Sequence, residues 1–393
     1  MLTLNFTRIA TFIYISFAFD SLLKINFGIK IHLGILSILM LNAVVFLNST
    51  NRIFHSASKG YLGKDYFFMA FMLYCFISGL LLEQPGFVSI FVYLIIAINV
   101  MIYCAYTAEI LDRRAFYYFQ IALIVTGLAQ FFLFKFFNYQ LTFIDAEHYQ
   151  KGSSVSHRLR GFFVEPNWFS IAFVFNSLLL IGNNVERFYS SHKLLSILSI
   201  VVLILNGSLA PVAILLVIYS FPYIRKSPVK GVVLTIGLLL LLALVFSFRE
   251  SINQKDAGTS LLNHNSRVVP YERVAEYQSE QSLPTILFGN GIGSWGTLAV
   301  GNRLSVLVYE EKSDARDGSE IPVFIFELGV VGFAILLLDL LYTFLKCSRK
   351  EFHLRGSILL FFVSFALYPT LKFWMYMPYY FYIRSLIYAK KHI

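Results

Sequence analysis

The sequence predicts an all-α, polytopic integral membrane protein with about twelve transmembrane helices and a large, partly helical outward-facing loop between the ninth and tenth. Of its residues, 58% are hydrophobic and only 14% are charged, and the mean hydropathy is +0.69. This is too little charge to cover a soluble globule of 393 residues. Apolar stretches of bilayer-crossing length, about 20 residues, fill most of the chain.

Windows of high hydropathy with few charges define the predicted spans. In order, they cover residues 9–23, 29–47, 66–82, 87–106, 115–137, 168–181, 194–205, 209–223, 229–248, 321–345, 356–368 and 373–388. We therefore predict a single membrane domain over residues 1–393. Two polar segments, 138–167 and 249–320, interrupt it.

Lysine and arginine in the short loops set the orientation, because basic loops resist translocation. Basic residues recur in alternate connections, which all fall on one side if the number of spans is even. They are Arg52, Lys59, Lys64, Arg113, Arg114, Arg187, Lys193, Arg225, Lys226, Lys230, Lys346, Arg349, Lys350, Arg355, Arg384, Lys390 and Lys391. We predict that both termini are cytoplasmic and that both polar segments face outward.

Composition and motifs exclude several classes of function. The net charge of +10 does not indicate nucleic-acid binding, because the basic residues lie in short connections rather than in a stripe with stacking aromatics. The sequence has no G-x-x-x-x-G-K-[ST] phosphate loop, so group transfer on the outer side needs a pre-activated, lipid-linked donor. Cys75, Cys104 and Cys347 lack the spacing of a zinc site and are interpreted as core residues.

The first polar segment ends in an arginine-bearing helix start. Arg158 and Arg160 are followed by Glu165, Pro166 and Asn167, where the next apolar stretch begins. Proline suits the first turn of a helix, glutamate is favourable near its positive end, and arginine forks match phosphate oxygens. Two interpretations stay open: an anion-binding helix start, or an interfacial Arg–Glu pair with a tryptophan anchor at headgroup level.

The second polar segment carries a helix-compatible stretch with His264, Arg267 and Arg273. The glycine-rich run at 288–296 lacks the strand and βαβ unit of a dinucleotide-binding loop. We predict a tight turn that lets the backbone approach a ligand or a neighbouring helix. A lone histidine such as His264 is more often an ordinary surface residue than a base.

Carboxylates lie at the beginning of the span that follows this segment. Asp317 and Glu320 are placed where a structural role would be to cap the helix and match its dipole. Glu327 lies farther inside the apolar stretch, where an ionised carboxylate is unfavourable and needs a partner or a function.

Together these motifs resemble the O-antigen polymerase and O-antigen ligase superfamily. The resemblance rests on the order of residues 158–161 with 165–167, then 266–267, then 287–293, then 326–332. It extends over the carboxy-terminal two thirds of the chain, and the predicted topology agrees with it.

The resemblance implies a membrane glycosyltransferase whose donor is a polyprenyl-pyrophosphate-linked glycan. It gives Arg160 and Arg267 the role of binding the pyrophosphate, with Arg158 and Arg273 as further candidates and Asn167 beside them. Preorganised guanidinium groups stabilise the leaving group without a metal, so we expect no cofactor and a metal-independent enzyme.

The general base and the choice between polymerase and ligase depend on one departure from the family pattern. Ligases typically carry a His-Asn pair before the Glu-x-Gly motif, whereas this chain has Asp317-Gly318 there. The departure favours a Wzy-type polymerase. Glu165, Asp317 and Glu320 are the candidate bases, and the choice among them is open.

The leading prediction is a polymerase of O-antigen, capsule or a related surface polysaccharide in a bacterial inner membrane. Its expected partners are a polyprenyl-pyrophosphate-linked oligosaccharide, membrane lipid, and a chain-length regulator and flippase of the same pathway. The alternatives are an O-antigen ligase, a flippase or other transporter, and a non-catalytic partner of the assembly machinery. A transporter usually has charged residues near the bilayer midplane, whereas the conspicuous charges here lie at the predicted outer face.

Overall fold

The computed structural model of the chain is mostly helical. It describes residues 2–26, 30–47, 65–82, 87–108, 110–144, 158–227, 262–305, 319–367 and 376–389, with a few more between 229 and 240. In chain order the elements are α1 (Leu2–Ser16), β1 (Lys24–Asn26), β2 (Lys30–His32), α2 (Leu33–Leu47), α3 (Tyr66–Leu82), α4 (Phe87–Thr107), α5 (Arg113–Phe137), α6 (Pro166–Ile181), α7 (Val185–Ser191), α8 (Lys193–Asn206), α9 (Leu209–Lys226), α10 (Leu262–Ser279), α11 (Leu283–Phe288), α12 (Glu320–Lys346), α13 (Phe352–Leu367) and α14 (Tyr376–Ala389).

Most of the predicted spans coincide with one of these helices to within a few residues, as the span at 66–82 does with α3. The span at 229–248 lies largely outside the described residues. The second span begins too early in the prediction, because Lys30–His32 forms a strand antiparallel to Lys24–Asn26. A hydropathy window averages over many residues and does not detect so short a hairpin.

Three helices in the described part of the chain are long and apolar enough to cross a membrane. They are residues Ile90–Thr107 of α4, α5 and α12. The pair α6 and α7 passes the same test jointly, although the two helices are bent by 93° at the break between them. Several further apolar helices are shorter, so the count of twelve spans remains a prediction.

The chain divides into two compact units, and each is described by itself. The first comprises Met1–Ser37, Glu109–Thr259 and Cys347–Leu360. In it α5 packs against α1, α6 and α8, and α6 also contacts α9. Polar side chains link these helices: Asn176 accepts a 2.9 Å hydrogen bond from the Tyr14 hydroxyl and donates one of 2.6 Å to Gln120. α6 is buried along nearly its whole length.

The chain just before the hairpin holds the loop that leads into α6. The Ser21 amide donates to the Phe162 carbonyl at 2.9 Å. The Phe162 ring packs between Phe19 and Phe143, with ring centroids 5.7 and 5.1 Å away. These contacts fix the last part of the arginine-bearing segment before the helix begins.

The second unit comprises Ile38–Ala108, Ser260–Lys346 and Phe361–Ile393. Helix α12 is its centre, and α3, α10, α11 and α14 pack against it, while α14 also contacts α4. Part of its core consists of residues from α10, α12 and the chain between α11 and α12. These are Val274, Trp295, Ala299, Leu304, Val323 and Phe326.

A buried ion-pair network joins three segments of the second unit. Arg384 in α14 pairs with Asp65, just before α3, and with Asp339 in α12. The Tyr380 hydroxyl donates to Asp339 Oδ2 at 3.1 Å. The sequence groups Arg384 with the basic loop residues, but its side chain is fully buried. Removing one partner from such a network is strongly destabilising, because it leaves a buried charge uncompensated.

The three cysteines are buried, as the sequence predicts.

Candidate functional site

The arginine-bearing segment leads into a helix that starts where the sequence predicts. Glu165 is the N-cap residue in an extended conformation, and Pro166 occupies the first turn of α6. Proline is favourable there because the amide that it lacks has no partner within the helix. The Glu165 side chain is half-buried and does not cap the helix by a hydrogen bond.

Arg158 and Asn167 are brought together at this helix start. One guanidinium nitrogen of Arg158, Nη2, lies 3.1 Å from Asn167 Oδ1 and 2.7 Å from the Ser208 hydroxyl, which donates to the same Asn167 oxygen at 2.9 Å. Arg158 Nε also donates to the Asn206 carbonyl at 2.9 Å. The connection between α8 and α9 therefore completes the network around Arg158.

Asn206 ties the same connection to the helix start. Its Nδ2 group donates to the carbonyls of Leu159 and Pro166, each at 2.7 Å. Its Oδ1 accepts the Ser208 amide at 3.1 Å. Asn206 and Ser208 are not among the site residues predicted from the sequence, because no charged residue marks this connection. The polar triplet 206–208 between two apolar stretches is the signal that marks it.

Arg160 is fully buried in the turn before α6. Its backbone amide donates to Gln130 Oε1 at 3.0 Å, and its carbonyl accepts the Phe163 amide at 3.1 Å. Gly161 follows with φ +56°, a left-handed conformation that glycine adopts without strain. The Arg160 side chain is directed inward, and its Nη1 donates to the carbonyl of Val164, just before α6 begins, at 3.4 Å.

The site candidates of the second polar segment lie in the second unit. Arg273 is half-buried in α10, and its Nη1 donates to the carbonyls of Arg303 and Ser305 at 2.8 and 3.0 Å. Arg267 and His264 belong to the same helix. The structure describes their backbone but not their side chains. Arg273 therefore stabilises the fold of this segment in the structure.

Of the two carboxylate candidates at the beginning of α12, the structure describes one. Glu320 is the first residue of α12 and is fully buried, whereas Asp317 lies outside the described residues. Next to Glu320, the Ser319 hydroxyl lies 2.9 Å from that of Tyr271, which donates to the Ala366 carbonyl at 2.7 Å. The Tyr271 phenol is protonated at neutral pH, and burial raises its pKa further from that range.

The glycine-rich run approaches a neighbouring helix, which is one of the two outcomes predicted for it. Helix α12 is broken at Gly329, whose backbone is non-helical at φ 63° and ψ −171°. The run supplies donors for the carbonyls near the break: Asn290 N to Phe326 O at 3.0 Å and Gly291 N to Glu327 O at 2.8 Å. Tyr74 donates to Leu328 O at 2.8 Å. A helix break inside an apolar span requires such replacement partners.

Glu327 has the partner that its apolar surroundings demand. Its side chain is 1% exposed, and Oε1 accepts the backbone amides of Gly293 and Trp295 at 3.0 and 3.1 Å. Two converging amides suit an anionic acceptor. The carboxylate therefore fastens the glycine-rich run to α12.

Of the predicted site residues, the structure brings together Arg158 and Asn167, with Arg160 and Glu165 in the same short segment. Arg273 and Glu320 belong to the other unit. Among the residues that the structure describes, no three His, Cys, Asp or Glu side chains are grouped as a metal site requires.

No protein-family model matches this sequence, and neither does any curated protein. The resemblance to the O-antigen polymerase and ligase superfamily thus rests on the motifs alone.

Proposed function

We propose that the chain is a membrane glycosyltransferase that polymerises lipid-linked oligosaccharide repeat units on the outer face of a bacterial inner membrane. The observation that carries this proposal is the convergence of Arg158, Asn167 and Ser208 at the first turn of α6, beside buried Arg160. Guanidinium groups and a helix N-terminus both favour negative charge. This combination suits a pyrophosphate leaving group.

The proposed reaction needs residues that bind the leaving group and a base that accepts a proton. The bond between the anomeric carbon and the pyrophosphate oxygen breaks, and its electron pair stays on the pyrophosphate, whose charge the arginines stabilise. An acceptor hydroxyl attacks the anomeric carbon and gives its proton to a carboxylate. Glu165, Asp317 and Glu320 are the proposed candidates for that carboxylate.

The proposed topology has about twelve spans, with both termini in the cytoplasm and both polar segments outside. A reporter that is active only outside the cytoplasm should be on when fused after Ser282 and off when fused after Lys226. The opposite pattern would contradict the outward position of the second polar segment and with it the proposed reaction.

The proposal predicts that Arg160→Lys and Arg267→Lys each reduce polymerisation at least about tenfold in membranes supplied with lipid-linked repeat unit. Lysine keeps the charge but loses the planar two-pronged geometry. The matched control is Arg114→Lys, since Arg114 is exposed. Wild-type polymer length in both variants, at equal amounts of inserted protein, would contradict the proposal that these arginines bind the pyrophosphate.

The same assay separates the base candidates. Loss of a general base reduces the rate by roughly a hundred- to ten-thousand-fold, whereas loss of a capping carboxylate costs only about 1 kcal/mol of stability. We compare Glu165→Gln, Asp317→Asn, Glu320→Gln and His264→Ala at matched protein level. Activity lost only in His264→Ala would reject a carboxylate base and favour a ligase-like site.

A lipid-oligosaccharide transporter is the second candidate function, and the buried network of Arg384, Asp65 and Asp339 favours it. Transporters place paired charges inside their spans, and Asp339 lies within the apolar helix α12. The glycan of a deletion strain distinguishes the candidates. A single repeat unit on lipid A core indicates loss of a polymerase, and no repeat unit indicates loss of a transporter or ligase.

A further inference from the structure

A cavity of about 520 Å³ lies in the first unit, where α6 ends and the chain turns into α7. Its lining includes Arg113 at the beginning of α5, the last residues of α6, and Arg187 of α7. Since α6 has 16 residues, the cavity lies about 24 Å along this helix from the network around Arg158. It is therefore separate from the proposed pyrophosphate site.

The charged groups that line the cavity are basic. They are Arg113 and Arg187, with His192 also in the wall, and no Asp or Glu is among the described residues that form it. Arg113 Nε donates to the Leu180 carbonyl at 3.1 Å, which holds this guanidinium at the cavity. Near the cavity, Arg114 forms an ion pair with Asp112. That ion pair involves neither Arg113 nor Arg187.

The rest of the wall is mixed, with the polar side chains of Asn183, Asn184 and Ser191 beside apolar residues of α5, α6 and α7. Phe116, Leu180 and Phe188 line the cavity, and α5 is one of the helices long enough to cross a membrane. Phe188 is the buried residue of α7, whereas its neighbours Arg187 and Tyr189 are exposed. With α6 along the membrane normal, the 93° bend lays α7 in the plane of the interface.

We propose that this cavity binds the phosphate group of an anionic membrane phospholipid. Two guanidinium groups match phosphate oxygens, and basic pockets between helices on the cytoplasmic side suit anionic headgroups. The apolar residues of the wall then contact the beginning of the acyl chains. The inference rests on α6 as a membrane span and is independent of the glycosyltransferase reaction.

The test measures the thermal stability of the full-length, detergent-purified chain against added dioctanoyl phosphatidylglycerol, dioctanoyl phosphatidylcholine or inorganic phosphate. We expect phosphatidylglycerol to raise Tm and phosphatidylcholine to leave it unchanged. Arg113→Gln and Arg187→Gln should each weaken the apparent affinity for phosphatidylglycerol roughly fivefold, since one basic side chain near anionic lipid contributes about 1 kcal/mol. Arg114→Gln is the matched control and should bind as the wild type does.

The outcomes are distinct. A shift produced equally by inorganic phosphate, and lost in the same variants, keeps the phosphate site but assigns it to a soluble ligand. Unchanged affinity in Arg187→Gln, or equal stabilisation by phosphatidylcholine, overturns the proposal. Arg187 is exposed, so its variant remains informative even if Arg113→Gln loses the contact with Leu180 and does not fold. The readout is lipid binding, so it is independent of polymerisation.

Discussion

Two helix breaks in this chain share a backbone conformation but have opposite surroundings. Gly182 ends α6 with φ +65°, and Gly329 breaks α12 with φ +63°. A Cβ atom built at Gly182 has no heavy atom within 4 Å, whereas one at Gly329 would lie 2.4 Å from the Leu287 carbonyl oxygen. The same glycine geometry therefore serves an open bend in one unit and a closely packed contact in the other.

The difference lies in what occupies the space beside the break. At Gly329 the glycine-rich run, Tyr74 and the Glu327 side chain supply hydrogen bonds around the interrupted helix. At Gly182 the break borders a cavity lined by arginines. A packed break fixes one arrangement of the chain, and an open break leaves room for a ligand. Three substitutions test this distinction.

The largest effect is expected for Gly329→Ala. The conformation at φ 63° and ψ −171° is essentially restricted to glycine, and the added Cβ would collide with backbone. We expect a loss of about 4 kcal/mol or more, measured as a collapse of the monodisperse peak in size-exclusion chromatography and a large fall in Tm. A melting curve like that of the wild type would show that the contact with Leu287 is not tight.

A smaller effect is expected for Glu327→Ala, which leaves the buried amides of Gly293 and Trp295 without their acceptor. The expected loss is about 2–3 kcal/mol of stability. Glu327→Gln retains an oxygen acceptor of the same shape and should melt close to the wild type. Exposed Glu280→Ala serves as the neutral control. If Glu327→Gln melts normally but abolishes polymerisation, the carboxylate has a chemical role beyond fastening the loop.

The smallest effect is expected for Gly182→Ala. Space is available for the methyl group, so only the backbone conformation is penalised, at about 1–3 kcal/mol. The protein should fold and insert, with a modest fall in Tm. A loss as large as that of Gly329→Ala would remove the distinction between the open and the packed break.

The helix positions were largely predictable from sequence, because each helix depends on local hydropathy. The helix start at Pro166 was also predictable, since residue types at the first turn carry that information. The contacts of Arg158 were not predictable from sequence, because its partners Asn206 and Ser208 lie 48 and 50 positions away in the chain. Local patterns do not specify which connections meet.

The contacts of the glycine-rich run were also only partly predictable from sequence. The sequence predicts a close approach of its backbone to a ligand or a helix, yet gives no means of choosing between them. The choice depends on the second glycine, Gly329, about 40 positions later, which makes room for Gly289. Likewise, the sequence places Arg384 among the basic residues of the loops, and only the structure shows that it is buried in ion pairs with Asp65 and Asp339.

The left-handed glycines of the packed break also determine how the chain tolerates random change. Gly289, Gly291, Gly293 and Gly329 all have φ values between +63° and +93°, a range that other residues adopt only with strain. A library of all single replacements would therefore be depleted at these four positions as strongly as at any reacting group, although none has a side chain. Depletion at these glycines reports the geometry of the backbone. These positions must therefore be set aside before such a library is used to identify catalytic residues.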